Sequence, residues 1–173
     1  NPQEGSCWIR GDAPSAATQA EAERAYRPMS HWGGRRFRAA SVRICCTVRG
    51  DLVRILNDLK TKRQSGEIEF ERVIIETTGM ANPGPVTQTF FMDDSISTYY
   101  LLDAVITVVD AKHGHDTLDQ QPEAQNQVGF ADRILISKVD LVSAADAQSL
   151  RERLVHMNPR APIKPVNFGE VAI

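Results

Sequence analysis

Two short segments of this chain end apolar runs in groups that do chemistry. The first is Val73-Ile74-Ile75-Glu76-Thr77-Thr78-Gly79, followed by Met80-Ala81-Asn82-Pro83. An apolar run that closes on a carboxylate, two hydroxyls, a glycine and a proline turn is how a buried parallel strand delivers polar groups to the carboxyl edge of a sheet. That edge is where α/β proteins bind ligands. There Glu76 can hold a water on Mg2+ or orient the water that attacks a phosphoryl group. Gly79, lacking a Cβ, lets a backbone N–H come close to a terminal phosphate. The second segment is Ile134-Leu135-Ile136-Ser137-Lys138-Val139-Asp140. A carboxylate at Asp140 can accept from both the N1–H and the exocyclic amine of guanine, two donors that adenine does not present together. The aliphatic stem of Lys138 can lie along the base. Each segment also has a plainer reading. Glu76 and Thr77 can simply end a strand, and Ser137 to Asp140 can be a solvated loop approaching a helix.

A third group is Cys45-Cys46, followed by Thr47. Adjacent thiols supply soft ligands to Zn2+, but two are too few for a closed tetrahedral site. His113 and His115 can add ligands only if the fold brings them near. Otherwise these are structural thiols and loop histidines.

These groups need a framework to position them. The 173 residues, 42% hydrophobic, are enough for one domain with a substantial core. A net charge of −2 gives no electrostatic case for nucleic acid or an anionic membrane as partner. No apolar run approaches the roughly 18 residues of a membrane span, and the first residues lack the basic-then-apolar order of a signal peptide. Three cysteines, two of them adjacent, do not make a disulfide framework and fit a reducing, cytoplasmic compartment.

The chain changes character near Ile44. Residues 1–49 carry eight Arg and no Lys against four acids, whereas residues 50–173 carry twelve Lys and Arg against eighteen acids. The early part is rich in Ala, Arg, Gly, Ser and Pro. It shows no apolar periodicity beyond a short helix from Ala16 to Tyr26, so it reads as disordered or loosely docked. From Gly50 onward the pattern is regular. Asp51 is placed to cap a helix carrying Leu52, Ile55, Leu56 and Leu59 on one face, and Gly66 ends that region. Strands are predicted at 72–76, 103–110, 132–137 and 162–167. Helices are predicted at 83–91, at 123–130 and from a Ser143 cap through His156. This alternation, with strands of near-continuous Val, Ile and Leu, predicts an α/β fold with a mostly parallel sheet, flanking helices and right-handed crossovers.

The order of motifs closely resembles one family. It comprises Cys45-Cys46-Thr47-Val48-Arg49-Gly50-Asp51-Leu52, then Ile75 through Val86, then Val108-Val109-Asp110-Ala111-Lys112-His113, then Phe130 through Leu141. Together these resemble the CobW/YjiA-type GTPases, relatives of the HypB and UreG metallochaperones. The likeness runs from about Ile44 to the last residue. It implies a P-loop NTPase fold of the SIMIBI G-domain type and GTP hydrolysis with Mg2+. It also implies delivery of Zn2+ or Co2+ to a client metalloprotein. On this resemblance Glu76 orients water or metal and Gly79 senses the γ-phosphate. Ser137, Lys138 and Asp140 hold guanine, and Cys45 and Cys46 hold the transported metal.

The sequence also departs from that family. Arg43 stands where the Cys-x-Cys-Cys metal motif has its first cysteine, and its positive charge opposes a bound Zn2+. Nothing in residues 1–43 offers Gly-Lys-Thr or Gly-Lys-Ser, so the backbone nest and lysine that grip the β- and γ-phosphates are not encoded there. Residues 1–43 are therefore read as a non-matching, disordered or out-of-frame segment. Residues 44–173 are read as a partial GTPase domain without the phosphate loop or the family's C-terminal domain, with little or no GTPase activity. The alternatives are a non-enzymatic interaction or regulatory protein that keeps part of the fold, and a truncated product without function.

Overall fold

The computed structural model describes residues 30–32, 35–36, 39–44, 49–77 and 81–167. They form two compact units, each with its own parallel strands. The fold is α/β, as the alternation of strand and helix patterns predicts.

One unit comprises residues 30–77 and 84–103 of the described chain. Its short antiparallel pair is β1 (Ser30–Trp32) with β2 (Arg35–Arg36). Strand β3 (Ala39–Ile44) runs parallel to β4 (Arg72–Thr77), with Val42 opposite Ile75 and Arg43 opposite Glu76. Val42 and Ile75 are both fully buried. The β3 strand starts ahead of the boundary expected at residue 44. Its sequence, AASVRI, has too few large apolar residues to announce a strand, and its pairing with the strong β4 run supplies the ladder bonds that its own composition does not. Helix α1 (Arg49–Gln64) buries Leu52, Ile55, Leu56 and Leu59, the four positions its spacing marked. The expected Asp51 cap is displaced: the helix starts at Arg49, and Asp51 lies in its first turn, where a carboxylate faces the positive end of the helix dipole. Gly66 closes the helix in the left-handed region at φ +79°. Its N–H bonds the Arg63 carbonyl and the Glu67 N–H bonds the Lys62 carbonyl, a Schellman ending that a Cβ would strain. Helices α2 (Pro83–Met92) and α3 (Asp94–Ser97) follow β4. The Tyr100 hydroxyl donates to the Leu56 carbonyl at 2.7 Å and ties the segment after α3 to α1.

The other unit comprises residues 81–83 and 104–167. Three parallel strands, β5 (Ile106–Asp110), β6 (Arg133–Ser137) and β7 (Ile163–Pro165), stand in that order. Between them run α4 (Gly114–Gln120), α5 (Pro122–Phe130) and α6 (Ala144–Met157). Ile134, Ile136, Leu118, Val128, Leu150 and Leu154 form the centre of one buried cluster, so both helical hairpin and sheet contribute to the same core. Helix α6 starts at the predicted Ser143 cap, whose Oγ accepts from the Asp146 N–H at 3.1 Å. Helix α4 was not legible, because His113-Gly114-His115-Asp116 reads as a loop. Packing of Leu118 and of the Gly114 backbone against the core makes it a helix.

Candidate functional site

The site-bearing residues of the second unit meet at the carboxyl ends of β5 and β6. These strands pair in register, with Asp110 opposite Ser137. The Ala111 N–H donates to the Ser137 carbonyl at 2.9 Å, and the Ser137 hydroxyl donates to the Val109 carbonyl at 3.3 Å. Both strand ends are thereby locked to one another before either chain leaves the sheet.

Lys138 follows with φ 57° and ψ 33°, the left-handed region, and is the only non-glycine residue with positive φ among the described residues. The chain then makes a 3-10 turn, Val139–Leu141, closed by the Leu141 N–H on the Lys138 carbonyl at 3.1 Å. Val139 and Val142 pack toward the core, and this alternation leaves Asp140 exposed between them. The loop thus presents the Asp140 carboxylate to solvent, on a backbone fixed at both ends by β6 and by the Ser143 cap of α6.

Lys138 is half-exposed, but its head is not loose. Its Nζ donates to Asp110 Oδ2 at 2.7 Å, and the Asp110 side chain is only 6% exposed. The other Asp110 oxygen accepts from the Lys112 N–H at 2.8 Å and the His113 N–H at 3.2 Å. Burial pushes the Asp110 carboxyl up. The Lys138 ammonium and the two backbone N–H groups outweigh that and hold it below the usual aspartate range. Asp110 belongs to the Val108-to-His113 motif, yet no chemical role is expected for it from sequence. The available signal was the same one that drew attention to Glu76, an acid that ends a β-branched strand.

Glu76 lies near the carboxyl end of β4 in the other unit, half-buried, between buried Ile75 and buried Thr77. The strand alternates buried and half-buried positions, so Glu76 shares a face with Ile74 rather than with the core residues Val73 and Ile75. Gly79, Cys45 and Cys46 lie outside the described residues. Of the two histidines, His113 stands at the start of α4. His115 is held by Arg153, which donates to the His115 carbonyl at 3.2 Å and to Asp119 Oδ1 at 2.6 Å. Among the described residues, no three His, Cys, Asp or Glu side chains gather as a metal site.

Comparison with known proteins identifies the family of this chain. The family model for the CobW/HypB/UreG nucleotide-binding domain matches residues 41–165. The zinc chaperone YjiA of Escherichia coli is 46% identical over 128 residues, which are 74% of this chain and 40% of that protein. The zinc-regulated GTPase metalloprotein activator 1 of Schizosaccharomyces pombe is 35% identical over 129 residues, 74% of this chain and 30% of the relative. The crystal structure of the Zn(II)-bound YjiA GTPase from E. coli superposes with a TM-score of 0.63 over 69% of this chain and 37% of that one. The chain therefore spans less than half the length of these relatives. The matched stretch begins inside β3, ahead of the boundary expected at residue 44, and ends in β7, so it takes in both units and every described residue singled out for nucleotide chemistry. On that coverage the chain belongs to the CobW/HypB/UreG family and carries its nucleotide-binding domain.

Proposed function

We propose that this chain is the guanine-nucleotide-binding part of a GTP-dependent metallochaperone that hands zinc, or cobalt, to a client metalloprotein in the cytoplasm. The observation that carries the reading is the β6 loop. Asp140 stands exposed on a turn whose backbone is held at both ends, next to a lysine whose side chain is half-exposed. A carboxylate so placed can accept two parallel hydrogen bonds from the guanine N1–H and amine, which is a readout of guanine over adenine. Ser137 is a shorter side chain than the asparagine usual at that place and adds less to the grip on the base. The printed names of the relatives, a zinc chaperone and zinc-regulated GTPases, support the same reading.

In this reading Glu76 orients the water that attacks the γ-phosphate or a water on Mg2+, and Gly79 offers a backbone N–H to that phosphate. An Mg2+ ion takes oxygen donors, which the Glu76 carboxylate at the strand end would supply directly or through a water, and when bound the ion would neutralise charge on the transferring phosphoryl group. Cys45 and Cys46 are the thiolates for the transported metal. No Gly-Lys-Thr or Gly-Lys-Ser occurs anywhere in the sequence. Phosphate affinity and turnover by this chain are accordingly expected to be low, with the base contacts contributing most of the binding. Among the described residues no helix is long and apolar enough to cross a membrane.

A thermal-shift series tests the reading. At ten times its Kd a ligand adds about 1.4 kcal/mol of stability. GTP or GDP with Mg2+ should therefore raise Tm by a few degrees, ATP should not, and Asp140→Asn should remove the rise. Equal shifts with ATP, or a shift that survives Asp140→Asn, would contradict it.

A further inference from the structure

We infer that Asp110 is a positioning residue for guanine binding: it holds the Lys138 side chain stretched along the β6 loop so that its aliphatic stem is a ready-made floor for the base. The inference rests on the reading of Lys138 and Asp140 as the residues that hold guanine, and adds to it a group that touches no ligand.

Three observations carry it. Lys138 sits at φ 57°, a backbone region that costs a non-glycine residue energy. The 2.7 Å ion pair to Asp110 gives that conformation its return. Second, Asp110 cannot swing. It is 6% exposed, and its second oxygen is bound by the Lys112 and His113 N–H groups, so the anchor point for Nζ is fixed by backbone. Third, with the head anchored the Lys138 side chain is still half-exposed, and part of it stays open to a ligand. A lysine free in solvent loses up to about 2 kcal/mol of rotamer freedom when it is ordered. A lysine already tethered at both ends of its stem has met that cost before the base arrives, so the base binds a prepared surface.

The division of labour follows. The stem contacts the flat face of any purine, whereas Asp140 discriminates by hydrogen bonding. Loss of Asp110 should therefore weaken guanosine and inosine nucleotides by the same factor. Loss of Asp140 should change which base is preferred.

The test is a double-mutant cycle on the full chain, with GDP as probe and affinity read by titration calorimetry or NMR shifts. Asp110→Asn, Lys138→Met and the double variant should all bind about fivefold more weakly than the parent, and to the same extent, because each removes one tether. Additive losses, with the Asp110→Asn effect persisting in the Lys138→Met background, would mean that Asp110 acts on the fold and not through Lys138. Unchanged affinity in Asp110→Asn while Asp140→Asn abolishes binding would overturn this inference and leave the guanine reading standing. A parent chain that fails to bind GDP, or binds it equally after Asp140→Asn, would overturn both. Should Asp110→Asn not fold by circular dichroism, Lys138→Met decides alone: affinity equal to the parent overturns the inference, and a fivefold loss supports it.

Discussion

Asn158→Ala should destabilise the protein more than any single surface change, because Asn158 joins two helix ends inside the core. Its side-chain amide donates to the Val128 carbonyl at 2.8 Å and the Ala131 carbonyl at 2.9 Å, satisfying the C-terminal turn of α5. Its carbonyl oxygen accepts from the Arg160 N–H at 3.3 Å and the Ala161 N–H at 3.2 Å, shaping the turn after α6. The residue is 8% exposed. Alanine leaves these four backbone groups without their partner, at about 1–3 kcal/mol for each that stays dry. A water entering the vacated space and the second bond to the Val128 carbonyl from the Ala131 N–H recover part of that. A net loss of about 3 kcal/mol is expected. With a urea slope of about 2 kcal/mol per molar, the midpoint by far-UV circular dichroism should fall by about 1.5 M. Asn158→Asp is the sharper control. It keeps the acceptor for Arg160 and Ala161 but turns a carboxylate on two carbonyls, so it should be at least as destabilised as the alanine variant. A midpoint within about 0.3 M of the parent for Asn158→Ala, or an aspartate that is tolerated, would refute the reasoning.

Other outcomes follow from the same geometry. Gly114→Ala places a Cβ 3.0 and 3.1 Å from the Leu150 methyls and 3.1 Å from Val109 Cγ1; Leu150 is fully buried and Val109 nearly so. Overpacking there should outweigh the better helix propensity of alanine and lower stability by about 1 kcal/mol, read as a lower Tm. Asp110 has its carboxyl held below the usual aspartate range, so its ion pair stabilises the fold above about pH 5. That contribution is lost as pH falls through the depressed value. Lys138→Met should thus cost about 1 kcal/mol at neutral pH, a figure limited by the half-exposed lysine, and the difference from the parent should shrink as Asp110 is protonated in acid-unfolding curves. Asp140→Asn should lose guanosine nucleotides and gain xanthosine nucleotides in a competition assay, since an amide can accept from N1–H and donate to the C2 oxygen that replaces the guanine amine.

The sequence announced elements wherever a single segment held enough apolar surface to declare itself. Leu52, Ile55, Leu56 and Leu59 are all buried on α1, and the strand ending at Ser137 and the Ser143 cap stand where spacing placed them. It missed β3 because AASVRI has little apolar content of its own and takes its strand from β4. It missed α4 because Gly114 reads as a breaker, while its close approach to Leu150 and Val109 is visible only in three dimensions. The loop proposed to read guanine is marked in the sequence by four residue types, Ser137 to Asp140, at fixed spacing after a strand. Asp110 is not so marked, because its partner Lys138 lies 28 residues away and only the strand register Asp110 to Ser137 brings them together. The left-handed backbone of Lys138 likewise has no mark in its residue type.

The central claim is that the Ser137 to Asp140 loop reads guanine. The direct measurement is an amide NMR titration of the full chain with GDP and, separately, ADP. GDP should shift the signals of residues 137–141 and of 110–113 together, saturating at about millimolar concentration, and ADP should leave them in place. Absence of any GDP shift at residues 137–141, or the same shifts with ADP, would contradict it.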